Sequence, residues 1–320
     1  MPKKGSPYKT ILERCLAVRP GEIVVIITDN KKRPIANKLL DEAQKIVREA
    51  GIVEITERKT DWEEPPDFVS SSLKKCNAAF IITSKSLLHT KTSKEAAEMG
   101  VRIASLPCVT EDMINRAIDI DYAVLNKLNQ KLIELLLKTS IVTIQSPRGT
   151  NFKFRIDPER PMINNNGLYY KEGDAGTLPP GSVVFAPVEG SAEGTIVVDG
   201  SLMGQTVDSP VKLVIQSGRI VDIKGGKAAK RLQETLTPLG PESLTVGEFG
   251  IGTNPKARLS GIPVEDEKTF ANCYIALGNN IGIGGRVFAR THISCILKKP
   301  TISLEKKKIV QGGKFLLGKL

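Results

Sequence analysis

The chain has 320 residues, 40% apolar and 25% charged, a length that fits two packed domains at roughly 100–200 residues each and excludes a small disulfide-stapled scaffold. Apolar runs such as Ile23–Ile27 and Ile141–Ile144 stop far short of the ~20 residues that cross a bilayer, so no membrane partner is expected. Lys and Arg outnumber Asp and Glu by 46 to 35, for a net charge of +11; the excess is spread thinly outside the Lys298–Lys319 tail, which carries no interleaved aromatic platform, and nucleic acid is not an expected partner.

The N-terminus, Met1-Pro2-Lys3-Lys4, bears charge without an apolar segment behind it, which does not match a secretory signal, and the expected location is cytoplasmic. Cys15, Cys76, Cys108, Cys273 and Cys295 are odd in number and show no Cys-x-x-Cys spacing. That argues for reduced, mostly buried thiols and against a disulfide framework or a thiolate zinc site.

In chain order, a β-branched strand over Glu22–Thr28 precedes a helix whose apolar positions Leu39, Leu40, Ala43, Ile46, Val47 and Ala50 end at a C′ glycine, Gly51. Further strands are expected near Val53–Thr56, Ala78–Thr83 and Val101–Leu106, with helical segments near Phe68–Lys75 and Lys91–Met99 between them. Alternating strands and helices imply a parallel sheet with helices on its faces. Thr110, followed by Glu111 and Asp112, marks a helix start, and a helix over Tyr122–Lys138 closes the first domain near residue 140.

From there the period changes to two, as in Phe152, Phe154 and Ile156 against Lys153, Arg155 and Asp157. Ser217-Gly218 and Gln311-Gly312-Gly313 mark turns, and one helix, Lys227–Leu239, interrupts the strands. The expected fold class is therefore α/β: a parallel-sheet α/β domain over 1–140, then a β-rich α+β domain over 141–320.

Two glycine clusters resemble phosphate loops without their context. Gly278–Gly285 lacks the strand-before, helix-after setting of a dinucleotide loop, and Gly225-Gly226-Lys227 reads as a helix entry. With only His89 and His292 in the chain and no Gly-x-Ser-x-Gly elbow, hydrolase triads have little material. His89, in the polar Leu88-His89-Thr90-Lys91 segment, is a surface residue by this reading.

More specific are five stretches in the second half: Ala186–Thr195, Gly247–Pro255, Glu265–Lys268, Ile275–Asn280 and Thr291–Ser294. Together with Leu87–Lys91 and Thr110–Met113 in the first half, they resemble the aminopeptidase T family of metallo-exopeptidases over nearly the whole chain. That resemblance implies a cytoplasmic homodimer that releases N-terminal residues from peptides with two divalent metals, Zn, Co or Mn, held by five side chains of the second domain.

Carried over residue by residue, the family's ligand positions read Ser182, Glu248, Tyr274, His292 and Ser294, so only Glu248 and His292 keep ligand chemistry. Neutral hydroxyls are poor replacements for carboxylate or imidazole donors. Strand alternation sends Cys273 and Cys295 away from Tyr274 and His292, and Asp266, Glu267 and Glu189 are not obvious substitutes.

The resulting expectation is an aminopeptidase-like protein with a degraded metal site and no cofactor, binding a peptide or small molecule in the old cleft as a non-peptidase. The alternative is an active metal-dependent aminopeptidase with replacement ligands. A third arrangement uses Tyr274, His292 and Glu248 as acid, base and orienting group without a metal.

Overall fold

A computed structural model describes residues 5–318. Met1–Lys4, on which the reading of the N-terminus rests, and Lys319 at the end of the basic tail lie outside the described residues. No helix among the described residues is long and apolar enough to cross a membrane.

The chain forms two compact units. One runs to Tyr122 and takes back Gly167–Pro180; the other holds Ala123–Asn166 and the chain from Gly181 onward. The backbone thus changes unit three times, where the sequence led to one boundary near residue 140. The returning segment lays a short strand, Ala175–Thr177, parallel to Arg102–Ser105.

In the first unit five parallel strands stand in the order Glu49–Ile55, Ile23–Asp29, Ala78–Ile82, Arg102–Ser105 and Ala175–Thr177. Ala78–Ile82 is buried at every position, as a central strand covered on both faces must be. Helices begin where side-chain oxygens cap them: Thr90 accepts from the Ser93 N–H and Thr110 from the Met113 N–H.

One expected boundary shifts. The helix after the first strand is Arg33–Ala43, and Glu49–Ile55 pairs over its whole length with Ile23–Asp29. Ala50 and Gly51 are therefore strand residues and Gly51 caps no helix; parallel pairing wins over the helical spacing of Val47 and Ala50.

The second unit holds antiparallel sheets of eight and seven strands. Ser217 and Gly218, at φ 48° and 77°, make the two-residue turn between Val211–Gln216 and Arg219–Lys224. Positive φ at both central positions gives the twist such hairpins need. Lys227–Leu236 is the helix, continued by a 3₁₀ turn over Thr237–Leu239.

Alternate residues of both sheets form one core that includes Phe152, Phe154, Phe185, Phe249, Ile275 and Leu277. Phe249 stands 5.1 Å from Phe154 and 5.4 Å from Phe185, ring centre to ring centre. Each such side chain contributes about 1.5–3 kcal/mol of transfer free energy, so this cluster fixes the seven-stranded sheet whose other face carries the polar group described next.

Candidate active site

Antiparallel register decides which residues share that face. Glu248 on Val246–Gly252 is paired with Ala276 on Cys273–Gly278, and Ala276 with Ser294 on His292–Leu297. Gly250 faces Tyr274, Gly278 faces His292, and Gly252 faces Ser182 at the start of Ser182–Phe185. Side chains alternate along a strand, so these polar residues turn from the core while Cys273 and Cys295 are packed in it. Burial pushes the Cys295 thiol up to about 12, and neither cysteine joins the group.

Glu248 is 8% exposed and Tyr274 1%. The Tyr274 hydroxyl donates to Glu248 Oε1 at 2.6 Å. Its ring lies across Gly250, where any side chain would collide with it, so glycine at this position makes the phenol's reach possible. Glu248 Oε2 faces His292 Nε2 at 3.9 Å.

Burial raises the Glu248 carboxyl above its ordinary 4.5; His292 opposes the rise, Glu267 adds to it, and the Tyr274 hydrogen bond opposes it. The Tyr274 phenol is raised well above 10, by burial first and then by the charges of Glu248 and Glu267. It is therefore a neutral donor to a carboxylate, a short charge-assisted pair.

A second carboxylate completes the cluster. Glu267, just after the turn of helix Pro263–Asp266, accepts from Ser294 Oγ at 2.5 Å and from Lys268 Nζ at 3.2 Å. The Glu267 and Lys268 side chains are only 15% and 5% exposed. Asp266 turns instead to Ser201 and Ser260. Glu189 accepts from Arg160, from Asn280 and from the Arg286 N–H, and so ties down the loop that leads to His292. Of the three acids the sequence set aside, Glu267 alone enters the cluster.

The structure thus gathers Tyr274, His292 and Ser294 around two carboxylates, Glu248 and Glu267, and leaves out Ser182. Ser182 is fully buried on the same face, but it lies opposite Gly252, four residues along the strand from Glu248, or about 13 Å at the ~3.3 Å rise of a strand. Its hydroxyl finds no hydrogen-bond partner among the described residues. A cavity of about 480 Å³ lies elsewhere in this unit, lined in part by Met203, Gln205, Asp208, Lys227 and Arg231, and includes none of these groups.

His89 is exposed, as expected, with its ring set edge-on to Trp62 at 5.8 Å. Gly278–Gly285 is the loop between two strands, with a 3₁₀ turn at Ile281–Ile283.

The fold is shared with two solved structures. A solved structure titled 2,5-dihydroxypyridine dioxygenase, from Pseudomonas putida KT2440, superposes with a TM-score of 0.83 at 19% identity, covering 97% of this chain and 96% of that one. Wild-type AmpT from Thermus thermophilus superposes with a TM-score of 0.72 at 12% identity, covering 97% and 98%.

The sequence profile described as NicX: 2,5-dihydroxypyridine 5,6-dioxygenase matches residues 6–317, and the chain belongs to that family. A 2,5-dihydroxypyridine 5,6-dioxygenase of Pseudomonas putida KT2440 is 24% identical over 251 residues, which are 74% of this chain and 70% of the relative.

The relationship to aminopeptidase T is therefore one of fold. Both functional expectations from the sequence, an aminopeptidase and a peptide-binding or small-molecule-binding non-peptidase in its cleft, are overturned by the family match and by the dioxygenase relatives. So is the hydrolase class, and with it the peptidase's pair of zinc, cobalt or manganese ions as the reason to expect a metal here.

Dioxygenase family membership implies a metal of its own. Non-haem iron oxygenases hold iron with two imidazoles and a carboxylate around open positions. The donors here do not fit that set. His292 is the cluster's one imidazole; the hydroxyls of Tyr274 and Ser294 are bonded to the two carboxylates. Among the described residues no three His, Cys, Asp or Glu side chains come together as a metal site.

Proposed function

We propose that this chain acts on a hydroxylated nitrogen-heteroaromatic ring, the substrate class that the names of its dioxygenase relatives carry, with Glu248, Tyr274 and His292 handling the proton of a ring hydroxyl. The observation that carries the reading is the buried carboxylate with one oxygen bonded to a neutral phenol and the other turned toward an imidazole 3.9 Å away. A carboxyl lifted by burial is a stronger base than a solvated one, and a larger share of it carries a proton near neutral pH.

His292 is the partly exposed member of the group, so a ring hydroxyl arriving from solvent meets the imidazole first. Tyr274 fixes the carboxylate's orientation. Beside them Val184, Ala276 and Ile296, with Leu259 and Ile283 against them, form an apolar cluster suited to the face of a planar ring.

The test is a titration with 2,5-dihydroxypyridine followed by the ring's ultraviolet absorbance, with oxygen uptake recorded in parallel. The expected result is saturable binding with the spectrum of the ionised ring, and loss of that spectral change in Glu248→Gln. Wild-type protein that leaves the ring's spectrum unchanged at every concentration overturns the proposal.

A further inference from the structure

We infer that this chain balances its buried carboxylates from within, with the Lys268 ammonium and the hydroxyls of Tyr274 and Ser294 standing where family membership implies a metal. The inference goes beyond the substrate reading and stands on donor chemistry alone. Three of the four carboxylate oxygens have a hydroxyl or the ammonium within hydrogen-bond distance. Glu248 Oε1 accepts the Tyr274 hydroxyl at 2.6 Å and Oε2 faces His292. Glu267 Oε1 accepts the Ser294 hydroxyl at 2.5 Å and Oε2 lies 3.2 Å from the Lys268 ammonium.

Two buried carboxylates within electrostatic reach of each other repel unless a cation or hydrogen-bond donors offset the charge. In metal sites the cation does this, and the carboxylate oxygens must be open to bind it. Here the Tyr274 and Ser294 hydroxyls occupy one oxygen of each carboxylate and the Lys268 ammonium lies against a third. Lys268, 5% exposed, is a fixed positive charge that an entering dication would have to approach or displace.

Tyr274 adds a steric reason. Its ring covers Gly250 between the strand positions of Glu248 and Gly252, so the phenol fills space on the sheet face beside Glu248. An imidazole at position 274 would be shorter, would free Glu248 Oε1 and would add a nitrogen donor. A carboxylate at 294 would release Glu267 and sit two residues from His292 on the same face.

The experiment is metal analysis by mass spectrometry on full-length protein, as purified and after anaerobic incubation with Fe(II), then separately with Zn(II), followed by desalting. Wild type is expected to stay far below one metal per chain. The double variant Tyr274→His, Ser294→Asp is expected to retain close to one, with Tyr274→His alone made in parallel in case the pair does not fold.

Near-stoichiometric metal in wild type overturns the inference. So does a folded variant, checked by circular dichroism, that takes up no more metal than wild type, because the two hydroxyl residues would then not be what excludes the ion. Failure here leaves ring binding untouched, since that is read with 2,5-dihydroxypyridine and not with metal content.

Discussion

Replacing Tyr274 by phenylalanine removes one atom and keeps the ring over Gly250. The lost oxygen donates to Glu248 Oε1 at 2.6 Å, between residues 1% and 8% exposed. A hydrogen bond to a charged group contributes about 1.5–3 kcal/mol, and the same range is expected as the loss of unfolding free energy at pH 8.

The loss depends on pH, and its sign follows from proton binding. Glu248 in the folded chain titrates above its ordinary 4.5 because of burial, with the Tyr274 bond pulling it back down. The folded state therefore holds more protons than the unfolded one above that pH, and this carboxyl costs stability as pH rises from 4.5 through its folded value. Without the phenol the folded value moves higher and the cost at alkaline pH grows.

Below about pH 4.5 Glu248 is a neutral acid in both states. There the variant loses only a neutral hydrogen bond, about 0.5–1.5 kcal/mol. Urea unfolding of wild type and Tyr274→Phe at pH 4 and pH 8, with m-values compared, reads the difference. Equal destabilisation at the two pH values, or a loss at pH 8 no larger than that of a neutral bond, would refute the account of Glu248 as a buried, phenol-stabilised carboxylate.

Glu189 makes the opposite case. Although burial pushes its carboxyl up, the Arg160 hydrogen bond and then the Arg286 N–H hold it down to about 2; its stabilisation is complete above 4.5 and lost as pH falls toward 2, so Glu189→Gln should flatten the acid limb of a stability profile over that window. Phe249→Ala, which opens the aromatic cluster between Phe154 and Phe185, should cost about 3–5 kcal/mol in the same denaturation assay. Native thiol titration with a disulfide reagent should modify Cys108 alone, because the other four cysteines are buried; burial pushes the thiols of Cys15 and Cys76 up to about 12, and rapid reaction of a second thiol in folded protein would contradict that packing.

What the sequence made legible follows from which forces are local. Thr110 caps its helix, Ser217-Gly218 turns its hairpin, and Ala78–Ile82 is a covered strand, because neighbours in the chain supply those reasons. The Ala175–Thr177 strand carries no pattern of its own; it exists by pairing with Arg102–Ser105, some seventy residues earlier, and the division expected near residue 140 falls at Tyr122 because Leu128, Leu132 and Leu136 of the helix Tyr122–Leu136 pack in the second unit's core.

The site shows the same split. Period two was enough to put Tyr274, His292 and Ser294 on one face and the cysteines on the other. It could not choose among Asp266, Glu267 and Glu189: Asp266 turns to Ser201 and Ser260, Glu189 to Arg160, and only contact with Ser294 selects Glu267.

The functional error has a related cause. The stretches that resemble aminopeptidase T include backbone devices such as Gly250, whose missing side chain admits the Tyr274 ring. A scaffold keeps such positions whatever chemistry it carries. The positions that differ from the aminopeptidase pattern are 182, 274 and 294. Two of them, 274 and 294, present hydroxyl donors to carboxylates, and a hydroxyl bonded in this way is a poor metal ligand where a peptidase needs imidazole or carboxylate.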